Sequence, residues 1–461
     1  VIRDPISAAL AMTDSISRRD FVRTSAQGLA AAGAAAGLGL GLPFTVPAVW
    51  GSTPADDRIR VGLIGCGGRG TGAAAQALAA DPGVVLWAVA DAFEDRIASC
   101  LGHLTKPAEE GDGSVAAPAH ADRVVVPAER RFVGLDSGER LIAEGECDVV
   151  LLCTPPHFRP MHLKAAIDAG KHVFCEKPMA VDGTGVRSVI ESAKAAEAKR
   201  LSLVSGFCWR YSSPERAVYG KMLDGDFGAV RSVHATYHTS PIWTQRRRPE
   251  WSEMTFQLRN WVHFIWLGGD HIVEQACHSV DKIAWAMGDR PFARVTSLGG
   301  RQLREGEEFG NVYDHFTAIY EYDDGARAVL TCRQMNHCSN ENKDWVACAD
   351  GIAFINGWAP QETRFEGARP WRYEGPSPNM YQVEHDELFR SIRSGTAKND
   401  GGFMALSTLM AIAGREAAYS GQTLSFEQCL GSKQQLVPSS YAFDATPPST
   451  AVPVPGAYRF S

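Results

Sequence analysis

Through the first half of the chain, short runs of branched apolar residues alternate with Ala-rich helical stretches. Residues 59–64 (IRVGLI) read as a buried strand and residues 71–80 as a helix. Residues 84–90 form a second strand, and 147–153, 171–175 and 201–205 read as further strands, with helices to about residue 169 and over 182–199. Such β-α-β repetition predicts a doubly wound parallel sheet. Residues 107–130, rich in Ala, Pro and Glu, show no period and are expected to be a surface excursion. Beyond Gly228 the pattern turns strand-rich: 230–239, 293–298, 315–322, 326–333 and 345–356. Asp323-Asp324-Gly325 is suited to a hairpin turn between two of these strands. Helical periods return over 381–394 and 403–420.

Ahead of this pattern stands Ser17-Arg18-Arg19-Asp20-Phe21-Val22-Arg23, followed by residues 24–55 without one charge. That stretch is Ala- and Gly-rich, too mildly apolar for a transmembrane helix, and fits a twin-arginine export leader. The expectation is passage through the twin-arginine translocon to the periplasm or another extracytoplasmic space. The expected organisation is leader and linker over 1–55, a nucleotide-binding unit over 56–208, and an α+β unit with a C-terminal tail over 209–461.

Composition narrows the function. With 46 Lys+Arg against 53 Asp+Glu, the net charge of −7 offers no basic footprint for nucleic acid. The 11 cysteines form no C-x-x-C pair and are odd in number, which excludes a disulfide framework or a Cys-rich zinc module.

The first strand runs directly into Gly65-Cys66-Gly67-Gly68-Arg69-Gly70, a G-x-G-x-x-G turn that opens a helix. The first glycine permits the tight turn, the second lets backbone approach a pyrophosphate, and the third lets helix pack on strand. The second strand ends in Asp91, 21 residues beyond Gly70, where an acid accepts hydrogen bonds from ribose hydroxyls. Asp91 favours NAD over NADP, and Arg96 nearby blunts that preference. Thr154-Pro155 and Glu176-Lys177-Pro178 fall at the ends of later strands, where ligands bind in such sheets.

The run Ala169-Gly170-Lys171-His172-Val173-Phe174-Cys175-Glu176-Lys177-Pro178 resembles the AGKHVxxEKP hallmark of the glucose–fructose oxidoreductase/inositol dehydrogenase (Gfo/Idh/MocA) family. Thr154-Pro155 with His157, and Gly206-Phe207 ahead of Arg210-Tyr211, are similar to family positions too. The resemblance implies that Lys177 is catalytic, that Glu176 and Pro178 hold it, and that Thr154, Pro155 and His157 border the cofactor. It also implies a Rossmann domain followed by an open, mostly antiparallel sheet with helices on one face.

In residues 268–281, with Asp270 as helix cap, His271, Glu274, His278 and Asp281 are spaced 3, 4 and 3. On an unbroken helix they share one sector of roughly 80°. The family's Asp-x-x-x-His-x-x-Asp pattern is similar here, with Glu274, His278 and Asp281 at its positions and Glu replacing the commoner first Asp. Histidine titrates near neutrality and serves as a base for a hydroxyl proton, while a lysine ammonium stabilises the developing alkoxide. His278 is thus the expected base, Lys177 its electrostatic partner, and Glu274 a group that orients His278. Zinc on His271, Glu274 and His278 is set aside, because i, i+7 histidines lie about 10 Å apart along a helix. Arg210, Tyr211, Asn260, Trp261 and His271 are the candidate substrate contacts.

Taken together, the resemblance and the leader imply an exported NAD-dependent oxidoreductase acting on a secondary hydroxyl of a sugar, glycoside or cyclitol, its cofactor retained and recycled. Two other readings stand beside it: an NAD-dependent glycosidase using transient oxidation and elimination, and a cofactor-bound sugar-binding protein without turnover. The resemblance further implies a homo-oligomer, a dimer or tetramer.

Overall fold

The computed structural model describes residues 57–105 and 120–461. The expected leader lies outside them, as does most of the stretch read as a surface excursion. Six strands come first in the chain: β1 (Ile59–Ile64), β2 (Val84–Asp91), β3 (Arg131–Val133), β4 (Val149–Leu152), β5 (His172–Cys175) and β6 (Leu203–Ser205). They form one parallel sheet in the order β3-β2-β1-β4-β5-β6. Helices α1 (Gly68–Ala80), α2 (Glu94–Thr105), α3 (Ser137–Glu144), α4 (Arg159–Asp168) and α5 (Gly183–Ala198) alternate with them. Helices cover both faces, so β4 is buried at every residue and reads as a continuous apolar run. The strand order runs outward both ways from β1 and β4, leaving a crevice at their carboxyl ends. β3 was not read from the pattern: it has three residues, of which only Phe132 is buried.

After α6 (Ser213–Leu223) the chain builds its second unit. Its elements are β7 (Val230–Thr239), α7 (Glu253–Arg259), α8 (Ile265–Gly268), α9 (His271–Glu274), α10 (Cys277–Ala286), β8 (Arg294–Gly300), β9 (His315–Glu321), β10 (Arg327–Gln334), β11 (Lys343–Cys348), β12 (Gly351–Asn356), β13 (Arg364–Gly367) and β14 (Trp371–Arg372). Then follow α11 (Met380–Ser394), α12 (Gly401–Ser420) and β15 (Leu424–Ser425). The nine strands order as β14-β13-β12-β11-β7-β10-β9-β8-β15, antiparallel except where β7 meets β10. Alternating burial along β10 shows one covered face, the one carrying α10 and α12.

Two expectations fail locally. Residues 345–356 read as one strand, its apolar positions interrupted only at Asp350-Gly351. The chain instead folds back at Ala349-Asp350, pairing Val346 with Ala353, and Gly351 adopts the φ of +156° the turn requires. The expected single helix over 271–281 is broken: α9 ends at Glu274 and α10 begins at Cys277. Here the Ala276 amide donates to the His271 carbonyl, one residue wider than an α-turn. That extra residue shifts the phase, so the four polar residues do not share one face.

Helix α12 is buried over nearly its whole length between the second sheet and α5 of the first unit, and α11 packs on α1. The C-terminal helices therefore tie the two units together.

Candidate functional site

At the carboxyl end of β1 the glycines explain themselves sterically. Gly65 has a φ of +99°, and a Cβ there would lie 2.6 Å from the Cys153 carbonyl carbon. A Cβ on Gly70 would lie 1.8 Å from the Gly65 oxygen. Gly67 and Gly68, by contrast, face open space, and no side chain caps the N-terminus of α1. Bare amides at a helix N-terminus beside glycines suit an anion such as pyrophosphate.

This turn borders a cavity of about 430 Å³. Asp91 lines it, with one carboxylate oxygen taking the Cys66 amide at 2.7 Å and the other the Phe93 amide at 3.0 Å. A carboxylate has lone pairs beyond those two, so acceptor capacity remains for hydroxyls. Burial pushes the Asp91 pKa up, opposed by the two amides and by Arg96. Thr154 also lines the cavity, its hydroxyl buried and without a hydrogen-bond partner among the described residues. A buried hydroxyl left unpaired in a cavity wall has bonding capacity that a ligand could use. Arg96 and Pro155 also line it.

Much of the wall was not anticipated. Phe93, Leu135, Ser137, Gly138 and His162 come from the first unit, and Trp243, Gln245, Leu258 and Arg259 from the second, beside the expected Trp261. Ser137 and Gly138 open α3, behind the strand too short to read. Arg259 reaches across the units to bind Asp95 through two 2.7 Å hydrogen bonds, its guanidinium 3.7 Å from the Phe93 ring centroid.

Lys177 lies two residues beyond the end of β5, and the Lys177–Pro178 peptide is cis. Its ammonium donates to the Glu274 carbonyl at 2.6 Å and to Glu274 Oε1 at 3.2 Å. Burial opposes the charge most strongly, but Glu274 together with Cys277, Glu176 and Tyr237 outweighs it and the pKa is raised. His278 lies between the Trp209 ring, 4.6 Å away edge-on, and the stacked Tyr237 ring at 6.4 Å. Burial first, then the charges of Lys177 and Lys282, hold its pKa well below the usual value, so the imidazole is neutral. Lys177, Glu274 and His278 thus bring both units together, and none of the three lines the cavity.

Several expected contacts fall elsewhere. Glu274 grips Lys177 instead of orienting His278. Arg69 lines the cavity, yet its guanidinium is spent on Glu176, Glu384 and Gln76. Glu176 also takes the Lys177 amide at 3.0 Å, so it holds the turn and strand end together and is buried away from the cavity. Cys66 contributes its backbone amide to Asp91 while its thiol is buried. His157 bonds the Tyr441 hydroxyl at 2.8 Å among Phe158 and Trp266, with its pKa pushed down to about 4 by burial. Arg210 is locked in buried ion pairs with Asp281 and Asp289, and Tyr211 donates to Asp400 in the core. Asn260 is fully buried, and its amide clasps the Gln245 backbone at 2.6 and 2.9 Å; it shapes the wall without entering the cavity. His271 faces Asp270, 3.2 Å away, and the Phe316 ring. Of the expected substrate contacts, Trp261 alone lines the cavity.

Comparison with known proteins gives two sequence families. "Oxidoreductase family, NAD-binding Rossmann fold" matches residues 59–203, and "GFO/IDH/MocA C-terminal domain" matches residues 217–354. Inositol 2-dehydrogenase 3 of Saccharopolyspora erythraea is 26% identical over 269 residues, 58% of this chain and 64% of that protein. Among its curated relatives, the matched part spans between 30% and 64% of their own length. Among solved structures, a levoglucosan dehydrogenase in complex with NADH and levoglucosan superposes with a TM-score of 0.61 at 19% identity, over 80% of this chain and 99% of that one. Aldose-aldose oxidoreductase from Caulobacter crescentus gives 0.59 at 21% identity with the same coverage of each chain. At such identities the likeness speaks for the fold. The matched families, the strand order and the glycine turn agree: the chain belongs to the Gfo/Idh/MocA oxidoreductase family, and its first unit is that family's NAD-binding Rossmann domain.

Proposed function

We propose that the protein is an exported oxidoreductase that uses retained NAD to act on a secondary hydroxyl of a sugar, glycoside or cyclitol. The observation that carries this reading is a glycine-lined cavity together with, outside its lining, a charged Lys177 held by Glu274 and a neutral His278 within reach of its charge. NAD fits what is present: Gly67 and Gly68 leave the pyrophosphate side open, Asp91 offers ribose acceptors, and the Thr154 hydroxyl awaits a partner. Bound there, NAD would supply the hydride acceptor for oxidation at the carbinol carbon. Neutral His278 takes the hydroxyl proton. The Lys177 ammonium donates a hydrogen bond to the same oxygen and stabilises the negative charge that develops there. Glu274 keeps that ammonium charged.

The names of the relatives, which include inositol and levoglucosan dehydrogenases, support the substrate class. Trp243 and Trp261 add aromatic faces suited to a sugar ring. The Arg18-Arg19 pair and its uncharged sequel support export, and a compartment without free NAD favours a cofactor that stays bound. Exposed Leu298, Ile319 and Ile352 on strands of the second sheet support a homo-oligomer.

The test begins with denaturing the purified protein and assaying the released NAD(H); an empty protein sinks cofactor retention. Incubation with myo-inositol, levoglucosan, glucose and methyl glycosides then follows NADH absorbance and sugar products together. Sugar cleavage without net NADH would move the reading to redox-assisted hydrolysis. Lys177→Ala is expected to lose turnover by about 1000-fold while keeping NAD, and full turnover in that variant overturns the mechanism. Replacing Arg18 and Arg19 by lysine should abolish export of a reporter fused behind residues 1–55.

A further inference from the structure

The joint between α9 and α10 is where the lysine is held. In an unbroken helix the Glu274 carbonyl would accept the His278 amide. Here that amide turns to the Gln275 carbonyl at 3.3 Å, and the Glu274 carbonyl instead receives Lys177 Nζ and the Cys277 thiol. The glutamate side chain extends one methylene beyond an aspartate, and only Oε1 is used by Lys177. Oε2 receives Gln275 Nε2 at 2.6 Å. A carboxylate only accepts, so the Gln275 amide must turn its nitrogen to Glu274 and its oxygen outward. That oxygen meets the Tyr237 hydroxyl at 3.0 Å, which therefore donates. The Tyr237 ring in turn stacks on His278 with the planes 27° apart.

We propose that Gln275, backed by Tyr237, is a positioning residue that clamps the Glu274 carboxylate onto Lys177, and that the helix break frees the Glu274 carbonyl for the same ammonium. The chain Tyr237–Gln275–Glu274–Lys177 then fixes the lysine charge and the histidine ring from one strand, β7. The groups facing Lys177 are Glu274, Cys277, Glu176, Tyr237 and His278. Only its consequence for turnover rests on the proposed function; the clamp itself does not.

The test is competitive acetylation of the intact, NAD-loaded protein with acetic anhydride across a pH series, with Lys177 labelling read by mass spectrometry. Gln275→Leu should lower the pH at which Lys177 becomes reactive by about one unit, seen as about tenfold faster labelling at mildly alkaline pH. Tyr237→Phe, which removes one hydroxyl and preserves packing, should shift it the same way by less. Labelling of the remote Lys398 should not change. Unchanged Lys177 labelling in both variants overturns the proposal, whether or not Glu274→Gln alters it. Should no sugar reduce the bound NAD while Gln275→Leu still exposes Lys177, the proposed function fails and the clamp stands.

Discussion

The cofactor cavity and the Lys177 nest lie side by side, yet they are built by opposite means. Backbone makes the cavity: bare glycines, an uncapped helix and one hydroxyl without a partner, all leaving bonding capacity for a ligand. Bonds already made build the nest, where the Glu274 carbonyl and carboxylate both hold Lys177 and Gln275 holds the carboxylate. A binding site profits from unspent donors and acceptors. A proton-transfer site needs its charges fixed before the substrate arrives, because reorganising them during reaction would raise the barrier. Each region should therefore fail in its own way.

The largest expected effect falls on the backbone-built side. Gly70→Ala puts a methyl 1.8 Å from the Gly65 oxygen, and neither backbone segment is free to yield. Loss of NADH binding by about 100-fold or more is expected, read by energy transfer from tryptophan to NADH. Lys177 labelling should stay as in the parent protein. If both changed together, the cavity and the nest would be one unit and the contrast would fall.

Acid separates the two regions next. Burial raises the Asp91 pKa, so on acidification the ribose acceptor loses its charge earlier than an ordinary aspartate, and NADH affinity should fall with it. His278 stays neutral to well below 6.5, so the acid limb of kcat/KM should lie below that value. The folded protein meets a second penalty. His157 and His263 are pushed down to about 4 by burial, against 6.5 when unfolded. As pH falls below 6.5 the unfolded chain binds protons the folded one refuses, so stability declines until the folded histidines titrate near 4. Tm should drop across that window, and His157→Gln should flatten the drop. A flat Tm profile in the parent protein would show that these histidines are not held neutral.

How far the sequence reveals each region follows from the same contrast. Glycine turns and acids at strand ends are local, so Gly65 to Gly70, Asp91 and Thr154-Pro155 were legible from spacing. The parallel sheet was legible because strands buried on both faces spell continuous apolar runs. The nest was legible only through resemblance, since it joins residues far apart in the chain. Even there the periodic argument misled, because a one-residue widening at Ala276 sends His271 and Asp281 to different neighbours. Arg210 and Tyr211 looked functional as polar groups near a family position. Their ion pairs and hydrogen bonds, to Asp281, Asp289 and Asp400, are invisible to any local pattern. The second-unit wall of Gln245 and Arg259 has no local signal either.

The smallest expected effect concerns Arg259, where that wall meets the first unit. Its two hydrogen bonds to Asp95 are short, but Asp95 is 63% exposed, so water competes for the pair. Exposed ion pairs contribute about 1 kcal/mol at most, which corresponds to roughly fivefold in an equilibrium constant. The guanidinium also stacks on Phe93, which lines the cavity, so part of its effect is packing that salt does not screen. Arg259→Ala should accordingly speed NADH release by about two- to fivefold, measured by displacement with excess NAD. Asp95→Ala, which leaves the stacking in place, should do less. If Asp95→Ala matched Arg259→Ala and high salt erased both effects, the wall would be held by charge alone. A residual effect of Arg259→Ala in high salt would show that the second unit closes the cavity chiefly through aromatic contact.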